Sequence, residues 1–528
     1  MSTSDTERTE FVFDPEVAES RKHLRWILSA LMLTMLLAAL DQTIVSTALP
    51  RITSELNGLN ELSWVITAYL LASTASTPIW GKLSDLYGRK VMLQSAVAVF
   101  VIASMLAGLS QNMAQLIGTR ALQGIGGGGI MVLVMAVIAD LIPPRDRGRY
   151  AGLFGAVFGL SSVIGPLLGG FFTEQLSWRW IFYINVPLGI AAFAALAIFL
   201  HLPVLHEKKP IDWLGSALLV VGVTMVLLVT VWGGQEYDWT SPTIIGLAIG
   251  GVLALAVFVW HELRTEEPIV PMTLFSNKVF RVSSMVGFIV GFAMFGSIVY
   301  LSIYFQVVRG ATPTMAGLML LPLMLGILIT SILSGQLIAR MGRYKMFPII
   351  GTGLAAIGIY MLSRLGVDSP YWYNALAMFV LGAGLGNVMQ TLVLAVQNTV
   401  APQQMGAATS GSTFFRSIGG SFGTAFFGAV WAARLTAELN AAFPGGTGQI
   451  GDATSSISSI EALPPAIQST VLQAFANAID TTFLVAVPFM VVAFLLAWLL
   501  PEVHLKTKRD VENELADDAA VPLPLALD

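Results

Sequence analysis

Apolar residues in this chain come in long unbroken runs, not in the short alternations of half-buried strands or surface helices. A bilayer core about 30 Å thick is crossed by about 20 helical residues at 1.5 Å each. Fourteen runs have that length and little charge. The first six are Arg25–Leu49, Ser63–Lys82, Met92–Gln111, Ala114–Ile142, Arg149–Thr173 and Trp178–Leu200. Two more lie at Trp213–Gly233 and Thr243–His261. The last six are Val279–Val307, Thr314–Ile338, Met346–Ser363, Tyr373–Asn398, Thr409–Ala432 and Thr481–Leu500. Each predicts a helix, because a helix satisfies its own backbone groups in lipid.

Positive charge orients these spans. Of the 28 Lys and Arg, twenty-one lie in the loops or tails on the side of both termini. Only Arg51, Arg179, Arg309, Arg364 and Arg434 face the other side, and Arg120 and Arg416 fall inside spans. The bias places both termini in the cytoplasm, and a miscounted span would scramble it. The first apolar run has the length of a full span and follows some 20 polar residues, unlike a cleavable leader. Residues 1–24 and 501–528 read as cytoplasmic tails without fixed structure. The stretch 433–480, rich in Gly, Ser, Thr and Ala, reads as a long outer loop with a short helix at Pro465–Ala478.

Composition narrows the class. The chain has 528 residues, 55% apolar and 11% charged, with a mean hydropathy of +0.75. Soluble proteins carry about 25% charged residues, so soluble domains could not cover this much apolar surface. A net charge of −4 argues against nucleic acid as a partner. The absence of cysteine removes disulfides, thiolate metal sites and cysteine nucleophiles. Neither GxxxxGK[ST] nor HExxH occurs; His261-Glu-Leu-Arg-Thr lacks the second histidine. Gly124-Ile-Gly126-Gly-Gly-Gly129 spells GxGxxG, but it sits inside an apolar run with no preceding strand. No enzyme activity, catalytic residue, metal site or cofactor is expected.

The chain resembles itself at an offset of 254. Gly81-Lys-Leu-Ser-Asp-Leu-Tyr-Gly88-Arg89 becomes Gly335-Gln-Leu-Ile-Ala-Arg-Met-Gly342-Arg343, and Ile164-Gly165 with Gly169 becomes Ile418-Gly419 with Gly423. Span 1 maps onto span 9, span 2 onto span 10 and span 5 onto span 13. The expected plan is an all-α membrane protein of fourteen spans as 6+2+6: a first bundle over 25–200, a two-helix insert over 201–264 and a second bundle over 265–500. Two similar bundles around a midplane site suit an alternating-access carrier. Self-similarity alone also suits a channel or a scaffold.

Charges deep in spans are costly and mark functional sites. Asp41 lies about 13 Å inside the outer end of span 1, and Arg120 about 9 Å inside that of span 4, at 1.5 Å per residue. Burial favours the protonated acid, whereas a nearby cation favours the carboxylate. Protonation that depends on a bound cation is what an antiporter needs. A structural Asp41–Arg120 pair is the competing reading. Arg416, nearer the cytoplasmic end of span 13, is a third candidate, or a membrane anchor. Gln42, Tyr69, Gln123, Asn387, Gln390 and Gln397 are candidate cavity residues, and ordinary interhelical hydrogen bonds are the alternative. Gly165-Pro166-Leu-Leu-Gly169-Gly170 allows close helix approach and a bend.

These residues carry a family resemblance. GKLSDLYGRK (Gly81–Lys90) resembles the signature loop between spans 2 and 3 of the major facilitator superfamily. LDQTIVSTALP (Leu40–Pro50) is similar to the span 1 motif of its fourteen-helix drug:proton antiporter branch, and RALQGIGGGG (Arg120–Gly129) to the span 4 motif. GLSSVIGPLLGG (Gly159–Gly170), WRWIFYINVP (Trp178–Pro187) and FFRSIGGSFGTA (Phe414–Ala425) resemble the motifs of spans 5, 6 and 13. The resemblance implies a major facilitator fold and a multidrug exporter in the cell membrane, driven by protons without a cofactor. Its partners would be lipophilic small molecules, protons and membrane lipids, and it would act as a monomer. It further implies that Asp41 carries the proton, that Arg120 modulates it, and that Gly165 and Pro166 support the conformational change. In the loop, Asp85 would dock on the start of span 13 near Gly406–Thr409, with Arg89 and Lys90 holding the inner gate. Ala339 stands opposite Asp85 in the second half, so the gate should be asymmetric. Export of an endogenous metabolite or lipid is the neighbouring alternative on this scaffold, and a non-transporting receptor the remote one.

Overall fold

The structure, a computed structural model, describes residues 23–56, 62–142, 144–202, 211–234, 236–401, 404–443, 460 and 463–505. The expected tails therefore lie almost wholly outside the described residues, as does the middle of the stretch 433–480. Fourteen long helices are described. The first six are α1 (Leu24–Glu55), α2 (Leu62–Tyr87), α3 (Arg89–Gly108), α4 (Met113–Leu141), α5 (Pro144–Gln175) and α6 (Asn185–Phe199). Then follow α7 (Trp213–Trp232) and α8 (Pro242–Glu262). The remainder are α9 (Lys278–Ile303), α10 (Leu321–Met341), α11 (Met346–Leu362), α12 (Tyr371–Gln397), α13 (Met405–Ala442) and α14 (Pro465–Trp498).

Polar side chains immediately before several helices accept from free N–H groups of the first turn: Asn112 for α4, Asp212 for α7, Ser241 for α8 and Asn277 for α9. Gly342, at φ +69°, ends α10 in the left-handed conformation. The helices bordering 433–480 run into that stretch from both sides. Residues 433–442 extend α13, and 465–480 form one continuous helix with the last span. Ala-rich sequence with high helix propensity accounts for the extension, although it is too polar to register as membrane-spanning.

Ten of the described helices are long and apolar enough to cross a membrane. Among those outside that set, α2 and α13 are more polar and α11 has 17 residues. The two polar ones share a location. In the first half α1 packs on α5 and α6, α2 on α4, and α3 on α4 and α6; in the second half α9 packs on α13 and α14, α10 on α12, and α11 on α12 and α14. Adding eight to each helix number turns the first set into the second. The halves meet along α2–α13 and α5–α10, which the same operation exchanges. Helices facing the other half and not lipid can carry Ser, Thr, Gly and charge. Helices α7 and α8 pack on each other, with α7 against α2 and α13.

Helix α4 is wedged between α2 and α3, and its glycines set the spacing. A Cβ on Gly124 would stand 2.3 Å from the Tyr69 carbonyl oxygen of α2, and one on Gly126 2.6 Å from the Phe100 nitrogen of α3. The GxGxxG-like run is therefore used for backbone crossing in a membrane bundle. Gly118, on the same helix, has open space around it. Gly124→Ala should cost about 1–3 kcal/mol of stability and lower the thermal midpoint of the purified protein. Gly118→Ala should leave it unchanged or slightly raised. Equal midpoints for the two variants would contradict this packing.

Candidate functional site

Asp41 of α1 is 0% exposed and Arg120 of α4 is 1% exposed. The Arg120 Nη1 donates to Asp41 Oδ2 at 2.6 Å and to Gln123 Oε1 at 2.6 Å. Arg120 and Gln123 are three residues apart, so one face of α4 presents both. Gln123 Nε2 and Asn185 Nδ2, the latter from the first residue of α6, each donate to Asp41 Oδ1 at 2.9 Å. The same two amides donate to Ser104 Oγ on α3 at 3.1 and 3.0 Å, and Ser104 passes its own proton to the Phe182 carbonyl at 2.9 Å. Arg120 is anchored on α2 as well: its Nε donates to the Val65 carbonyl, and its guanidinium lies 4.4 Å from the Tyr69 ring centre.

Helices α4 and α6 thus supply the donors to one carboxylate on α1, and α2 and α3 hold those donors. Three N–H donors surround it, and all suit the ionised form. Removing one partner of a buried pair of this kind typically costs about 3–5 kcal/mol.

Of the candidate cavity residues, Tyr69 and Gln123 belong to this network, and Gln42 adjoins it on α1, half-buried. The other three lie elsewhere. Asn387 donates to the Ala383 carbonyl of its own helix, and its Cβ faces Gly351 of α11. Gln390 lines an inner cleft between the halves, with Arg147, Ser331, Ser334 and Gln397. The structure does not bring these amides to Asp41. Conversely, Ser104 and Asn185 are network members that reading the spans as isolated segments misses. Asn185 had a signal, a lone amide in the Trp178–Pro187 motif; Ser104 had none, because serine is ordinary in such helices.

On α5, Gly165 lets the helix close on α1. A Cβ there would stand 2.1 Å from Thr43 Oγ1, which itself donates to the Ser161 carbonyl at 2.9 Å. Gly169 is buried one turn on, and Gly170 has open space. For Gly159 and Pro166 only their place in α5 is described.

The inner end of α2 reaches the other half. Asp85 accepts from the Gly406 and Ala407 N–H groups at 3.0 and 2.9 Å, at the start of α13. Such an end carries a partial positive charge that attracts a carboxylate. Arg89 pairs with Asp85 at 2.5 Å and with Asp140 of α4 at 3.0 Å, and Lys90 donates to the Ala197 carbonyl at 2.9 Å. Glycines permit the approach: a Cβ on Gly81 would lie 2.6 Å from the Gly406 carbonyl oxygen. Gly88 turns the chain between α2 and α3 at φ +90°, a conformation that L side chains rarely adopt. Lys82 adds an ion pair to Glu267, in the segment leading to α9, at 2.8 Å. Arg416 is half-buried on α13, beside a small cavity away from Asp41.

Comparison with known proteins places this geometry. The profile of the Major Facilitator Superfamily matches residues 31–424. An uncharacterized MFS-type transporter of Mycobacterium tuberculosis is 44% identical over 496 residues, covering 94% of this chain and 72% of that protein. Multidrug resistance protein 3 of Bacillus subtilis is 34% identical over 500 residues, covering 93% and 98%. Among solved structures, the proton:xylose symporter XylE is similar with a TM-score of 0.62 over 93% of this chain and 99% of that one. At 16% identity that likeness speaks for the fold alone.

If Asp41 and Arg120 hold each other in place, losing the cation alone should be worse than losing both charges. Arg120→Met should destabilise the purified protein by about 3–5 kcal/mol, and Arg120→Met with Asp41→Leu should recover much of it. Thermal midpoints of the single and double variants report this. Additive losses would mean that the two side chains do not depend on each other.

Proposed function

The chain belongs to the major facilitator superfamily, and from that premise we propose that it is a proton-coupled exporter of lipophilic, often cationic drugs or dyes. It is a multi-pass membrane transporter and not an enzyme. The finer reading is ours: fourteen spans arranged as 6+2+6 in the cell membrane, both termini cytoplasmic, one chain acting alone by alternating access, and protons as the energy source in place of a cofactor. The observation that carries it is the Asp41 carboxylate, wholly buried and held by Arg120, Gln123 and Asn185. The relative named as a multidrug resistance protein supports the cargo class.

The described arrangement satisfies an ionised Asp41. A proton arriving on one of its oxygens replaces the charge that Arg120 faces and forces the N–H donors to re-aim. Loss of the proton to the cytoplasm restores the network. Exchange between these two bonding patterns, with cargo leaving in one of them, is antiport. One proton crossing is worth about 2.3 kcal/mol per 100 mV, or about 50-fold uphill export of a neutral compound at that potential. Export of a monovalent cation for one proton moves no net charge, so only the pH gradient drives it.

The inner latch sets when the cytoplasmic side opens. Asp85 on the α13 start, braced by Arg89, ties the first half to the second across the end of the cleft. The lack of cysteine in the sequence makes this directly measurable. With Ser334→Cys as a single thiol reporter in the cleft, adding Asp85→Asn should speed labelling by a maleimide from the cytoplasmic side by about tenfold. An unchanged rate would remove the latch from the gating scheme.

Dye efflux tests the coupling. In inverted vesicles with an imposed pH gradient, wild type should accumulate a cationic dye and Asp41→Asn should not. Equal accumulation by both would show that Asp41 is dispensable.

A further inference from the structure

The second half holds a cation that the coupling scheme leaves unused. Arg416 lies eleven residues beyond the start of α13, about 16 Å along it. It borders a small cavity enclosed by α9, α12 and α13, where its companions are Ser283, Ser412 and side chains without polar groups such as Val290, Leu392 and Val393. No carboxylate lines this cavity, unlike the site around Arg120.

Four serines have buried hydroxyl oxygens without a hydrogen-bond partner among the described residues: Ser283, Ser284 and Ser297 on α9 and Ser412 on α13. Ser283 is 2% exposed and Ser412 7%. A serine or threonine in a helix ordinarily donates to a carbonyl three or four residues back. Neighbours on α13 do so: Ser410 donates to the Ala407 carbonyl and Thr413 to the Thr409 carbonyl. Of the four without that bond, Ser283 and Ser412 line the same cavity as Arg416. Buried polar groups left unsatisfied call for a partner.

Two hydroxyl donors and a planar guanidinium, with no acid among them, select an anion. A carboxylate offers two oxygens with lone pairs for all three donors, in the geometry the guanidinium fork matches. Val393 also lines the cleft between the halves, so the cavity adjoins a route open to cargo. We propose that Arg416, Ser283 and Ser412 form a subsite for the carboxylate of an acidic or zwitterionic cargo. Its use in transport rests on the export reading above; its binding chemistry does not. Exchange of a monoanion for a proton would draw on the membrane potential with both charges, unlike exchange of a monovalent cation.

Equilibrium binding to the purified full chain in nanodiscs tests this, with 2-naphthoate and its neutral analogue 2-naphthamide as probes in chloride-free sulfate buffer. Wild type should bind naphthoate more tightly than naphthamide. Arg416→Gln should weaken naphthoate about tenfold or more and leave naphthamide unchanged, and Arg416→Lys should fall between. Ser283→Ala with Ser412→Ala, which keeps the charge and is milder for folding, should also weaken naphthoate selectively. Wild type binding both probes equally, naphthoate binding untouched by Arg416→Gln, or a site that takes chloride but no naphthoate would each overturn the proposal. Asp41→Asn separates the two claims: it should keep naphthoate binding while losing gradient-driven dye uptake. Retained Arg416-dependent binding in a protein that moves no dye would leave the subsite standing and the export reading fallen.

Discussion

A carboxylate buried among apolar helices must be met by donors, and Asp41 is met by three from two other helices, which two more helices hold in place. Arg120 and Gln123 come from α4, Asn185 from α6, while Ser104 on α3 and the Val65 carbonyl on α2 steady the donors. The first half is therefore organised around the charge state of one acid. Neutralising that acid changes the hydrogen-bonding demand on most of the half at once. A surface ion pair has no such reach, because water replaces a lost partner at little cost.

The rest of the molecule makes this local event consequential. The α1–α5 seam passes two residues from Asp41, where Thr43 meets Ser161 and Gly165. Helix α5 in turn faces α10 across the junction of the halves, and α2, which carries the Arg120 anchor at Val65, ends in the Asp85 latch on α13. The acid and the latch thus sit on one set of packed elements. The two more polar helices, α2 and α13, pack on each other at the junction of the halves, where water access is compatible with their side chains.

Much of this architecture was legible in the sequence because the bilayer imposes length and charge rules that need no tertiary information. Apolar runs, basic loops and the 254-residue self-similarity are local or pairwise signals. The superfamily was legible too, since its motifs are contiguous strings such as Gly81–Lys90. Arg120 and Gln123 were legible as candidates beside Asp41, but Asn185 and Ser104 were not. Asn185 reaches the acid, and Ser104 the amides that hold it, only through the packing of α6 and α3, and nothing in an isolated span tells a networked serine from one bonded to its own helix. Asn387 illustrates the converse: an amide deep in a span that the structure turns onto its own backbone. Helix ends were obscured for another reason. Residues 433–442 are helical through alanine propensity rather than apolarity, and a hydrophobicity criterion stops short of them; the helix read at Pro465–Ala478 is present, but it runs on unbroken into the last span.

The central claim is that the bonds around Asp41 exchange with a proton as cargo comes and goes. Proton release on cargo binding reads it most directly: a cationic dye is added to the purified protein in weakly buffered solution and the pH change is followed. Release from wild type and none from Asp41→Asn is the outcome this account requires. Equal release from both, or dye binding by wild type with no proton displaced at any pH, would contradict it.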